Sequence, residues 1–136
     1  MSKTTTKIKI NHDDQGNVTF TQNGQTPGLL EISSDNNLEV KLGTGFSGNG
    51  AKILSMELFN DANHGKGTSI GTWERSNPSV QPSSDMEIEK KGSHIVVNDT
   101  NATRTDDFYF FAITATDGTR NYSSDPELKV RKTGSN

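Results

Sequence analysis

Along most of this chain every second residue is apolar. Ile8 and Ile10 alternate with lysines, and Val18 and Phe20 with Thr19 and Thr21. Leu38, Val40 and Leu42 alternate with Glu39 and Lys41, Met86 and Ile88 with Glu87 and Glu89, and Leu128 and Val130 with Lys129 and Arg131. A period of two puts one face of an extended chain on a core and the other in water, so each run predicts a half-buried β-strand. Turn-forming residues separate the runs: Asp13 to Asn17, Asn23-Gly24, Pro27-Gly28, Lys91-Gly92 and Asp117-Gly118. They predict a hairpin from the first two strands, another about Lys91-Gly92 and a third about Asp117-Gly118. No amphipathic helix stands out. Residues 51–60 are ambiguous, although Leu54, Met56 and Leu58 alternate as in a strand. Residues 43–50 are glycine-rich, and residues 61–84 carry Gly65, Gly67, Gly71, Pro78 and Pro82 with little apolar content beyond Ile70 and Trp73. Both read as loops. The expectation is one all-β domain over residues 1–132 and a disordered tail at 133–136.

Residues 107–118 are the most informative stretch. Tyr109, Phe111, Ile113 and Ala115 share one face, while Phe108, Phe110 and Ala112 make the other face apolar too. The Tyr-x-Phe-x-Ile-x-Ala run resembles the F strand of fibronectin type III and related immunoglobulin-like domains, and residues 122–130 resemble their closing G strand. This resemblance implies an immunoglobulin-like antiparallel β-sandwich of about seven to nine strands, with the N-terminal hairpin as an addition. It also implies that Tyr109 occupies the tyrosine corner and bonds nearby backbone. The tryptophan that the family carries near its second strand is missing, since Trp73 lies elsewhere in the order. The fold implies a scaffold and no particular activity.

Composition sharpens this picture. The chain has 136 residues, of which only 28% are hydrophobic, yet the formal net charge is −3. Disorder by composition needs high net charge as well, and here the polar excess is uncharged. The weakly acidic balance argues against nucleic acid as a partner. The small basic groups Lys3, Lys7, Lys9 and Lys129, Arg131, Lys132 read as the solvated faces of terminal strands. There are no cysteines, which excludes disulfides and thiolate chemistry. No apolar run approaches a membrane span. The first residues carry no apolar signal-peptide core, so the default expectation is the cytoplasm, with non-classical secretion as the other route.

Candidate chemistry is sparse. Gly43, Gly45 and Gly48 fit G-x-G-x-x-G, but no helix pattern follows to meet a pyrophosphate, so no cofactor is expected. His12, His64 and His94 have no ligand spacing. Asp13, Asp14, Asp99, Asp106, Asp107 and Asp117 could assemble a calcium site between loops, although each also suits a turn. No nucleophile elbow or catalytic carboxylate pair is visible, so the chain reads as non-enzymatic. Two ligand-contact hints remain. Phe108 and Phe110 either belong to a central strand whose outer face the N-terminal hairpin or the long loop covers, or form an exposed aromatic patch for a protein partner or a second copy. Trp73 and Arg75, on one side of an extended loop, could contact a sugar or anchor a partner, although a lone loop tryptophan more often plugs the edge of a core. The leading expectation is a structural or protein-interaction module that self-associates. The alternative is a small carbohydrate-binding, lectin-like domain assisted by calcium.

Overall fold

A computed structural model describes residues 4–62, 65–100, 107–126 and 128–132. The described residues form eleven strands: β1 Thr4–His12, β2 Val18–Thr21, β3 Leu30–Ile32, β4 Asn36–Leu42, β5 Lys52–Ala62, β6 Gly65–Glu74, β7 Met86–Lys91, β8 His94–Asp99, β9 Asp107–Thr116, β10 Asn121–Ser123 and β11 Leu128–Lys132. They pack as two sheets. The first has the order β2-β1-β4-β8-β7, and the second β3-β11-β9-β5-β6 with β10 also on β9. The all-β sandwich is therefore as expected, with more strands. Most pairs are antiparallel, but β1 runs parallel to β4 and β3 parallel to β11. The sheets are mixed where a wholly antiparallel sandwich was expected. The cause is long-range. The β1–β2 hairpin and β3 are inserted before β4, and each lies beside a strand that follows after a long connection.

The period-two pattern supplies the core. In the first sheet Ile8 faces Val40, Ile10 faces Phe20, and Leu38 and Ile88 both face Val97. In the second, Leu58 and Leu128 flank Phe111, while Met56 lies between Ile113 and Trp73. These side chains belong to one buried cluster between the sheets. The turns form where glycine permits them: Gly16, Gly24, Gly92 and Gly118 all have positive φ.

Two segments depart from the sequence reading. Residues 61–84 were expected as a loop, but half of them extend the β5–β6 hairpin. Glycines fit this strand because it is an edge strand packed closely by its neighbours. A Cβ at Gly71 would lie 3.0 Å from the Pro82 carbonyl oxygen. Residues 52–60 are strand, but with a register shift between Ile53 and Ser55. The bulge resets the alternation, so Ile53 is buried along with Met56 and Leu58, and Leu54 is only partly covered. The tail 133–136 lies outside the described residues.

One end of the sandwich is polar inside. Lys132 follows Leu128 and Val130 on the inward face of β11 and is fully buried, with its Nζ 2.7 Å from Asp99 Oδ1. The expectation of a solvated Lys132 and a turn-forming Asp99 is corrected, because both point between the sheets. The Tyr109 hydroxyl donates to Asp85 Oδ2 at 2.7 Å. The resemblance implied a backbone acceptor for this hydroxyl, and it donates instead to a carboxylate.

Phe111 sits at the centre of this packing with none of its surface exposed. Phe111→Ala is expected to lower the unfolding free energy by about 3–5 kcal/mol in a denaturant titration. Val80→Ser, at an exposed position, should change it by less than about 0.5 kcal/mol.

Candidate functional site

β9 is bonded to β5 on one side and to β11 and β10 on the other. Its odd residues Tyr109, Phe111, Ile113 and Ala115 are buried, which leaves Phe108, Phe110, Ala112 and Thr114 on the outer face. In register, Phe110 faces Phe59 of β5 and Lys129 of β11, and Phe108 faces Arg131. The three phenylalanines are half-buried, screened by side chains of their own sheet. Lys129 Nζ sits 4.9 Å from the Phe108 ring centre and 5.4 Å from that of Phe110. Lys66 Nζ sits 4.9 Å from the ring of Phe59. These are cation–π distances. Beside them, Arg131 lies 3.9 Å from Glu31 on β3, and Glu57 accepts from the Ser69 hydroxyl at 2.7 Å. The face is thus an aromatic row with charges of both signs around it. Phe59 was missed in the sequence. Its signal was present only as an apolar residue out of step with Met56 and Leu58, and its place beside Phe110 needed the pairing of β5 with β9.

Trp73 and Arg75 do not join this face, nor each other. Trp73 lies on β6, is fully buried in the core, and donates from Nε1 to the Pro78 carbonyl at 3.3 Å. It therefore offers no face for a sugar to stack on. Arg75 follows β6 and spends its guanidinium on the backbone. It donates to the carbonyls of Ile53 in the second sheet and of Gly92 and Ser93 in the β7–β8 turn of the first. Partial burial lowers its pKa from the usual guanidinium value. Arg75 is a clamp between the sheets. This is why an arginine serves, since its rigid fork of donors reaches several acceptors at once.

The candidate calcium residues are scattered. Asp13 Oδ1 accepts from the backbone of Gln15 and Asn17, both at 2.9 Å. Asp117 accepts from the backbone of Thr119 and Arg120, both at 2.8 Å, and from the Tyr122 hydroxyl at 3.1 Å. These backbone bonds are the main cause of the lowered pKa of both carboxyls. Both therefore work as turn formers. Asp99 faces Lys132, and Asp106 lies outside the described residues. Among the described residues no three acidic or histidine side chains gather as metal ligands.

His12 and His94 serve local structure, and His64 lies outside the described residues. The His12 ring stacks on Tyr122 at 3.9 Å, with its nitrogens 3.1 Å from the Asp13 carbonyl and 3.0 Å from that of Gly45. It ties the β1–β2 turn to the glycine loop and to β10. That loop, residues 43–50, contains one short 3-10 turn and runs directly into β5. His94 Nδ1 accepts the Leu42 backbone N–H at 2.9 Å, which fixes the neutral ring with its proton on Nε2. Burial, then the charge of Lys41, lowers its pKa from 6.5. Among the described residues no helix is long and apolar enough to cross a membrane.

Two outcomes follow for these groups. Arg75→Ala should lower the unfolding free energy by about 1.5–3 kcal/mol, the worth of charged hydrogen bonds to backbone, with no effect on any binding activity. The folded state binds a proton at His94 less readily than the unfolded chain does. Stability is therefore full above about pH 6.5 and falls as the pH drops below it, and His94→Gln should flatten that part of the urea-midpoint profile.

No curated protein matches this sequence. The model of the DP-EP family matches residues 4–132, which is nearly the whole chain, and the protein belongs to the DP-EP family.

Proposed function

We propose that this protein is a non-enzymatic interaction module that pairs with a second copy of itself through the outer face of its second sheet. The observation that carries this reading is the row of Phe59, Phe110 and Phe108 on adjacent strands of a sheet face turned away from the core. Aromatic rings at the centre of a patch with charges at its rim have the composition of a protein interface. The occupant follows from the charges. The same face carries Lys66, Lys129 and Arg131 together with Glu31 and Glu57. A two-fold axis through the rings can set cations of one copy against carboxylates of the other, as an isologous contact requires. The carbohydrate alternative used Trp73 together with polar loops, and the Trp73 ring is enclosed in the core.

We also read the sandwich as immunoglobulin-like. Taken in chain order from β4, the strands lie as β4-β8-β7 in one sheet and β6-β5-β9-β11 in the other. The reading is supported by the match of this order to B-E-D and C′-C-F-G of the immunoglobulin fold. The β1–β2 hairpin is then the addition, and β10 and β11 together make the closing strand.

Light scattering after size exclusion tests the interface. The wild type should rise toward twice the monomer mass with concentration. Phe110→Asp should stay at the monomer mass with unchanged far-UV circular dichroism. A wild type that remains monomeric at the highest concentration refutes the reading, as does a Phe110→Asp protein that still dimerises.

A further inference from the structure

The ion pair between Lys132 and Asp99 is more enclosed than a stabilising contact needs to be. Their side chains are 0% and 1% exposed, and Nζ and Oδ1 are 2.7 Å apart. The two residues come from opposite sheets, β11 and β8, and the core residues Val97 and Val130 precede them on the same strand faces. Register places Met86 opposite Asp99 and Asp107 opposite Lys132. The Asp85–Tyr109 hydrogen bond lies at the same end. Lysine is seldom buried so completely, and a buried pair is often worth no more than a well-packed apolar one.

We infer that Lys132 and Asp99 are the precursors of an intramolecular amide cross-link between the two sheets. A primary amine and a carboxyl group held in contact need no encounter step, and their enclosure keeps bulk water from the product. The atoms balance without any outside reagent. One proton passes from the Lys132 ammonium to Asp99 along the 2.7 Å contact, giving an amine and a carboxylic acid. The Nζ lone pair attacks Cγ of Asp99 and the Nζ–Cγ bond forms. The Cγ–O bond then breaks, the departing hydroxyl takes a second proton from nitrogen, and one water is released. An amide N–H remains. The bond would fasten β11, at the C-terminal edge of the domain, to the opposite sheet. This is the constraint a disulfide supplies elsewhere, in a chain that contains no cysteine.

Intact-mass measurement of the denatured, full-length protein decides the matter. The wild type should be lighter than its sequence mass by one water. Fragmentation should find the segments bearing Asp99 and Lys132 joined. Lys132→Met should keep its full sequence mass. Asp99→Asn should lose ammonia in place of water and arrive at the same final mass as the wild type. A wild type at full sequence mass overturns the inference and leaves an ordinary ion pair. So does a water loss that persists in Lys132→Met, or one that fragmentation places at Asp117-Gly118 as a cyclic imide.

Discussion

The structure depends on a strand that is apolar on both faces. β9 takes a position inside its sheet, with neighbours on both sides that cover the flanks of both apolar faces. β5 bonds it along one edge, and β10 and β11 share the other. Its inner face supplies Tyr109, Phe111, Ile113 and Ala115 to the core. That layer gives the first sheet an apolar surface to cover, and burial of apolar area between two sheets is the main favourable term of such a fold. Its outer face then carries Phe108 and Phe110, so one strand both organises the core and provides the candidate interface.

A two-layer sandwich of this kind must close its sides, and here polar side chains do so by bonding to backbone. Gln81 accepts the Ile88 N–H at 2.7 Å and donates to the Ile88 carbonyl at 3.1 Å, acting as a short substitute strand along the edge of β7. Arg75 binds carbonyls from both sheets near the β7–β8 turn. Pro82 lies against Gly71 of β6, so the segment after β6 crosses from the second sheet to the first over the open side. The His12–Tyr122 stack closes the loops at another margin. These contacts explain why residues that look like ligand contacts in the sequence are spent on structure. A strong donor such as arginine is as useful for satisfying buried carbonyls as for holding a ligand.

The buried polar end has a different logic. Lys132, Asp99, Tyr109 and Asp85 lie where the inward faces of β11, β8 and β9 run out of apolar residues. Lys132 and Asp99 come from opposite sheets, and Tyr109 of the second sheet bonds Asp85, which immediately precedes β7 of the first, so the two layers are joined there by directional contacts as well as by packing. Directional contacts fix how the layers sit on one another, which apolar burial alone does less sharply.

Strand and turn positions were legible in the sequence because they are local. A period of two is visible within five residues, and glycine marks a positive φ wherever a tight turn needs one, as at Gly92 and Gly118. The double-sided character of residues 108–112 was legible for the same reason. Other features depended on what lies opposite. The bulge after Ile53 changes which residues of β5 face inward, and it is defined only against β9. Phe59 joins Phe110 only through that pairing. Trp73 is core because β6 extends the second sheet across an apparent loop. Lys132 shares its parity with Leu128 and Val130, yet a lysine at the end of a strand is ordinarily solvated. Its burial follows from the position of Asp99 on the other sheet. The sequence by itself determined the strands, because alternation and turn chemistry act over a few neighbouring residues. The tertiary structure alone decided the parallel pairs, the bulges and the burial of Trp73 and Lys132, because each is a relation between segments far apart in the chain.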